Sequence, residues 1–372
     1  MALLALAAFW PVVSGERRFF HLDLRYEHLP VWDVTQKVLR ARESPFWIDG
    51  EYCGHPLLFT QEAPVFYPLT VPLLLTGAPV ARLADLFSLF HFWLAGFAAF
   101  LLLEDLEADS WSALFGGVAW MLSARLLQSA IWPNAVAVSA LLPLLLLGIM
   151  RIAEGRRRVS GVAVTAGVGA LAILASRPQA LLGAAPLLCA VAAVSLVRAP
   201  RRARAAADLG LAALFAVALG APSLLPSAAL YPEMSRAAGL SRAERDIRPI
   251  RFGRDLDMVF LPVDGGARWP EAAAYPGAIT GVLFVLGIAL VLRRDRLFSQ
   301  SLFLALLAGG ATGLVFAFGE AGPYRFFANL PLIRGFRVPA RYLTSWSLAL
   351  AIGSALVLSR LLRGISRPVL AG

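Results

Sequence analysis

The chain has 372 residues, of which 59% are hydrophobic and 16% charged, with a mean hydropathy of +0.70. Soluble domains carry roughly 25% charged residues, so this composition excludes an ordinary soluble protein and defines an integral membrane one. The formal net charge of +10 is almost wholly arginine, since Lys37 is the only lysine. That charge bears on loop placement and anionic ligands; no nucleic-acid-binding motif accompanies it.

In chain order, the first apolar run is Ala2 to Val13, ending in Trp10-Pro11. It is short for a ~30 Å hydrocarbon core. A signal peptide is disfavoured because no Lys or Arg precedes the run and no small-residue cleavage site follows it. It reads as the tail of a first transmembrane helix whose beginning lies outside this sequence.

Nine further apolar runs follow, at 83–103, 111–127, 133–150, 160–176, 178–197, 206–226, 277–292, 301–318 and 341–359. Each approaches the ~17–25 residues that a crossing needs. The expectation is an all-α integral membrane protein, one polytopic domain over 1–372, with about ten transmembrane helices and a large first extracytoplasmic loop. With both termini cytoplasmic, the inward loops carry Arg151 and Arg156 to Arg158, then Arg198, Arg201, Arg202 and Arg204, then Arg293, Arg294 and Arg296, with Arg360, Arg363 and Arg367 at the end. The short outward connections near 128–132 and 176–178 are almost free of such charge, as the positive-inside rule expects. The inward loop Glu104 to Asp109 is acidic, but acidic residues steer orientation little.

Three outer segments, 14–82, 227–276 and 319–340, are too long for simple connectors and are expected to fold together over the bilayer. In the first, the spacing of Val34, Val38 and Leu39 predicts a short interfacial helix over 33–42. Tyr67 to Leu75 is apolar but too short to cross, so it re-enters or lies in the headgroup zone. Cys53 and Cys189 belong to different depths and support no disulfide. The spans themselves hold almost no ionisable residues, which argues against a pump or channel.

Several of these residues form a pattern: Asp23-Leu24 with Tyr26, Leu39-Arg40 with Pro45-Phe46-Trp47, Gly54-His55-Pro56-Leu57-Leu58, Gln61, and Tyr67-Pro68. The pattern resembles the first outer loop of YfhO-like bacterial membrane proteins, related to the GT-C class of polyprenyl-phosphate-dependent glycosyltransferases. The late segment Gly335-Phe336-Arg337-Val338-Pro339-Ala340-Arg341-Tyr342 looks like a signature of the same group. Members are usually longer, so a short or partial relative is expected. The resemblance implies a GT-C-like fold in the bacterial cytoplasmic membrane and a reaction on its outer face. The donor would be a polyprenyl-phosphate-linked sugar, the acceptor a lipid or glycan of the cell envelope, and the surroundings membrane lipids.

It also places the family's catalytic aspartate at Asp23. A carboxylate beside an acceptor hydroxyl takes its proton during attack, which is worth roughly 10²–10⁴-fold; capping the interfacial helix or pairing with Arg25 would suit the same residue. Substrate-binding candidates are Tyr26, Glu27, His55 and Gln61 in the first loop, and Arg248, Arg251, Arg337 and Arg341 beyond it. Guanidinium groups grip phosphate oxygens as a fork. An Arg–Glu network, or attraction to anionic headgroups, accounts for the 236–254 arginines equally well. No motif demands a cofactor. A divalent cation could be gathered by Asp23 with a neighbouring Glu, Asp or His of the loop, although no ligand spacing is diagnostic. The alternative function is a non-catalytic carrier or flippase of a lipid-linked intermediate, or an assembly partner with the same fold.

Overall fold

The computed structural model describes residues 1–48, 54, 56–57, 62–155, 157–234, 237–262, 270–295, 298–330 and 333–366. Its regular elements are helices. Along the bundle they are α1 (Ala2–Ala8), α2 (Trp10–Val13), α3 (Leu29–Arg40), α4 (Thr70–Leu75), α5 (Val80–Asp105), α6 (Ser110–Met121), α7 (Ala124–Gln128), α8 (Pro133–Glu154), α9 (Arg158–Leu174), α10 (Pro178–Arg198) and α11 (Arg202–Leu230). Two short turns, α12 (Arg242–Arg245) and α13 (Asp257–Phe260), precede α14 (Ala278–Leu292), α15 (Gln300–Phe316) and α16 (Leu343–Ser366).

All nine apolar runs are helical, but among the described residues six helical segments are long and apolar enough to cross a membrane: Val80–Asp105, Ser110–Ile131, Pro133–Glu154, Pro178–Arg198, Arg202–Glu233 and Pro339–Gly364. The chain is thus an all-helical, multi-pass membrane protein. Helices α9, α14 and α15 are apolar yet shorter. At 1.5 Å per residue, the 15 residues of α14 rise only about 22 Å, less than the ~30 Å core. The count of about ten expected from composition is therefore six by length. The amino-terminal run is not one helix: it breaks at Phe9 between α1 and α2, where Phe9 stacks on Phe92 of α5 with ring centres 4.7 Å apart.

Helices α8 and α16 form the middle of the bundle. Of their most apolar stretches 78% and 72% is buried, against 17% for α11, which lies at the periphery. Helix α8 packs on α5, α9 and α10, while α16 packs on α6, α10, α14 and α15. Close approach depends on small residues, as in membrane helix pairs generally: a Cβ on Gly309 of α15 would stand 2.6 Å from the Cα of Leu187 on α10.

The two ends of the bundle differ. At one, Asp105 bonds Arg151 at 2.7 Å and Arg157 at 2.5 Å, Arg158 pairs with Asp208, and Arg360 pairs with Asp295 at 2.7 Å. The acidic loop after α5 thus neutralises the basic loop after α8 on the same face. We call this the Arg-rich end. The long connections gather at the other, the loop end. There Arg245 reaches Glu320 at 3.4 Å and Asn329 at 2.7 Å, joining the second and third long segments over a small apolar core of Ile250, Met258, Val259 and Leu343.

The expected scarcity of ionisable groups inside the spans needs correction. Asp85 and His91 in α5 and Arg125 in α7 are buried within helices. They lie in the loop-end half and tie loops down. His91 bonds the Tyr67 hydroxyl at 2.7 Å, Asp85 accepts from the Phe19 N–H at 3.2 Å, and Arg125 donates to the Glu271 carbonyl at 2.7 Å.

Candidate active site at the loop end

Asp23 stands immediately before a π-helical turn, Leu24–His28, that runs unbroken into α3. Pro30 sits at the start of α3, where its missing N–H costs nothing and its fixed φ suits a helix. Helix α3 therefore begins four residues before the expected 33, and its buried side is Val31, Trp32, Thr35 and Gln36 rather than Val34, Val38 and Leu39. Hydrogen bonding decides the face. His28 Nδ1 and Trp32 Nε1 both meet the carbonyl of Glu62, at 3.2 and 2.8 Å. One turn on, Gln36 Nε2 donates to the carbonyls of Leu74 and Ala78 at 3.1 and 3.0 Å. Residues four apart share a helix face, so one stripe fastens α3 to the 62–78 segment and fixes where Asp23 points.

The Asp23 side chain makes no capping hydrogen bond. Its Oδ2 accepts from Trp132 Nε1 at 3.1 Å, and its Oδ1 lies 3.6 Å from His21 Nδ1. Arg25 is engaged elsewhere, 5.4 Å from the ring centre of Tyr26. Trp132 is buried and also meets two guanidiniums, Arg177 at 5.6 Å and Arg341 at 5.4 Å from its ring centre, within the ~6 Å of an attractive cation–π contact.

Behind the ring a charged cluster is held on Glu271, a buried residue. Its carboxylate is 3.5 Å from Arg341 and 3.4 Å from Arg248. Gln179, in α10's first turn, accepts from Arg341 and donates to the carbonyl of Arg337. Arg125, Arg177 and Arg341 line one small cavity with Trp132, Ser129 and Thr344, and among the described residues Arg125 Nε has no hydrogen-bond partner.

The electrostatics follow from this crowding. Burial lowers the Arg177 guanidinium from its ordinary value, while Glu62, Glu27, Glu271 and Asp23 oppose that shift. Glu27 is exposed overall, yet loss of solvent around its carboxyl, then repulsion from Asp23 and Glu62, hold it above the usual carboxylate range; Arg177 and Arg337 pull it back. Burial, then Arg177, push the His28 imidazole down to about 4. Two neighbouring groups are thereby biased toward their neutral forms.

Of the residues singled out in the sequence, the structure brings together Asp23, Glu27, Arg248 and Arg341, with the Arg337 backbone at the edge. Tyr26 is 65% exposed and stands outside the cluster. Arg251 lines a separate recess with Asp246, Phe252 and Phe318. His55 and Gln61 lie outside the described residues. Four of the five arginines in 242–254 are in ion pairs, Arg242 and Arg245 on Glu320, Arg248 on Glu271 and Arg254 on Asp255. Among the described residues no three His, Cys, Asp or Glu side chains converge tightly enough to hold a metal ion.

Sequence reading overlooked Arg125, Arg177, Gln179 and Glu271. Two signals were present. Arg125 lies inside an apolar run, where a charge is costly and usually functional, and Arg177 is an arginine in a turn expected to face outward, which orientation rules leave uncharged.

No protein-family model matches this chain, and no curated protein sequence matches it either.

Proposed function

We propose that the protein is a membrane glycosyltransferase that moves a sugar from a polyprenyl-phosphate donor to a lipid or glycan acceptor of the cell envelope, on the outer face of the bacterial cytoplasmic membrane. The observation that carries this reading is the Trp132 ring, which bonds the Asp23 carboxylate through its N–H and the Arg177 and Arg341 guanidiniums through its π system. A carboxylate able to take a proton and two guanidiniums of the kind that grip phosphate meet on one side chain, which supports the reading.

The acceptor hydroxyl oxygen forms a bond to the anomeric carbon while the bond from that carbon to the phosphate oxygen breaks. Asp23 takes the hydroxyl proton. The electron pair leaves with the polyprenyl phosphate, whose added charge meets Arg341 and Arg177; cations fixed in advance where charge develops stabilise a transition state without reorganisation. Glu271 and Gln179 hold Arg341 in place.

The test is transfer from polyprenyl-phosphate sugars by the purified protein in nanodiscs, with and without Asp23→Asn. Equal transfer by both would remove Asp23 from the mechanism. Binding of the lipid phosphate, weakened by Arg341→Ala, with no turnover from any donor would replace the enzyme by a non-catalytic carrier.

A further inference from the structure

At the Arg-rich end, remote from Asp23, helices α8, α10 and α15 do not close on one another. Ala153, Ser195, Ala199 and Ala305 face the gap and are too small to fill it. With Val191 and Leu302 they enclose about 580 Å³, within the ~300–1,000 Å³ of small-molecule sites. The walls are mostly apolar, and Glu154 and Arg198 stand among the lining residues.

A second hollow adjoins the first, sharing Ala153, Glu154 and Pro200 with it, and is lined further by Arg158, Arg201, Arg204 and Asp208. Arg158 is taken by Asp208. Arg198, Arg201 and Arg204, all exposed, remain against two carboxylates that are already engaged, Glu154 with Arg151 and Asp208 with Arg158, although Asp208 also feels Arg204. The apolar slot thus carries Arg198 at its lining and the adjoining hollow carries Arg201 and Arg204; among the described residues none of the three is within salt-bridge distance of a carboxylate. Orientation rules explain arginines at this end, but they do not explain a cavity under them.

We propose that this cleft binds an anionic glycerophospholipid, one acyl chain in the apolar slot and the phosphate-bearing head group among Arg198, Arg201 and Arg204. Basic pockets between transmembrane helices bind such head groups, and a chain in the slot restores contacts that the small side chains forgo.

Native mass spectrometry of the purified protein, titrated with phosphatidylglycerol or phosphatidylcholine, tests this. The expected result is at least a tenfold preference for phosphatidylglycerol. It falls to parity in the combined Arg198→Gln, Arg201→Gln and Arg204→Gln variant, while Val194→Trp, which fills the slot, removes the bound lipid. Equal affinity for the two lipids, or a preference that survives the triple substitution, overturns the proposal. So does a dimer that phosphatidylglycerol cannot displace, which would assign the cleft to a second copy of the chain.

Discussion

Trp132 Nε1 donates to Asp23 Oδ2 at 3.1 Å, joining residues 109 positions apart. The bond ties the first long loop to the start of α8 and orients the carboxylate. Its removal separates orientation from chemistry. Asp23→Asn should lower transfer by about 10²- to 10⁴-fold, the range of a general base. Trp132→Phe keeps a ring for Arg177 and Arg341 but loses the N–H. A hydrogen bond to a charged group is worth about 1.5–3 kcal/mol, so kcat should fall about 10- to 100-fold with KM little changed. Steady-state kinetics on both variants decides it; equal losses would mean that the carboxylate works only when the Trp132 N–H orients it.

Glu271 is buried between Arg341 and Arg248, and its backbone carbonyl receives Arg125. Removing one member of a buried charge pair leaves the other unpaired and costs about 3–5 kcal/mol. Arg248 is half exposed and can turn to water, so Glu271→Gln should destabilise by about 3 kcal/mol, the low end of that range. Thermal unfolding in detergent measures it. An unchanged midpoint would show that the three arginines are neutralised by other groups.

His28 gives stability a pH dependence. Its folded value is lowered to about 4 from 6.5, so below pH 6.5 the unfolded chain binds a proton that the folded one refuses. Stability from this group is full above pH 6.5 and is lost as pH falls toward 4. At about 1.4 kcal/mol per pH unit the loss is at most about 3 kcal/mol. Unfolding midpoints between pH 7 and pH 4 should decline more steeply for the wild type than for His28→Asn; parallel curves would exclude His28 as the source.

Gly183 lets α10 touch the start of α16. A Cβ there would stand 2.5 Å from the Arg341 carbonyl oxygen, and the Gly183 carbonyl accepts from Ser345 Oγ at 2.9 Å. Gly183→Val should push the two helices apart, costing about 1–3 kcal/mol as overpacked sites do, and should move Arg341 away from Trp132. Weakened binding of a short-chain polyprenyl phosphate together with a lowered unfolding midpoint is the expected pair of results. A lowered midpoint with unaltered binding would place the phosphate away from Arg341.

Much of the architecture was legible in the residues because the bilayer imposes it. Apolar length marks helices, and arginine placement sorts their ends: the loops read as inward do share one face, with Asp105 against Arg151 and Asp208 against Arg158. The choice of Asp23 as a candidate also came from the sequence, through the resemblance that places a catalytic aspartate at this position. Helix α3 shows where such reading stopped. Spacing of apolar residues favoured Val34, Val38 and Leu39, yet a side that includes His28, Trp32 and Gln36 turned inward because the carbonyls of Glu62, Leu74 and Ala78 needed donors.

The site itself was decided only by the fold. Asp23, Trp132, Arg177, Glu271 and Arg341 sit on five separate stretches of chain, and no periodicity or spacing links them. A buried guanidinium must find carboxylates, carbonyls or a ring wherever helices bring them, so the pairing of Arg341 with Glu271 and Trp132 is a property of helix packing. Composition determined that this chain belongs in a membrane and which segments form apolar helices; tertiary structure determined which charges meet there, because partners are chosen by distance in space and hydropathy records only distance along the chain.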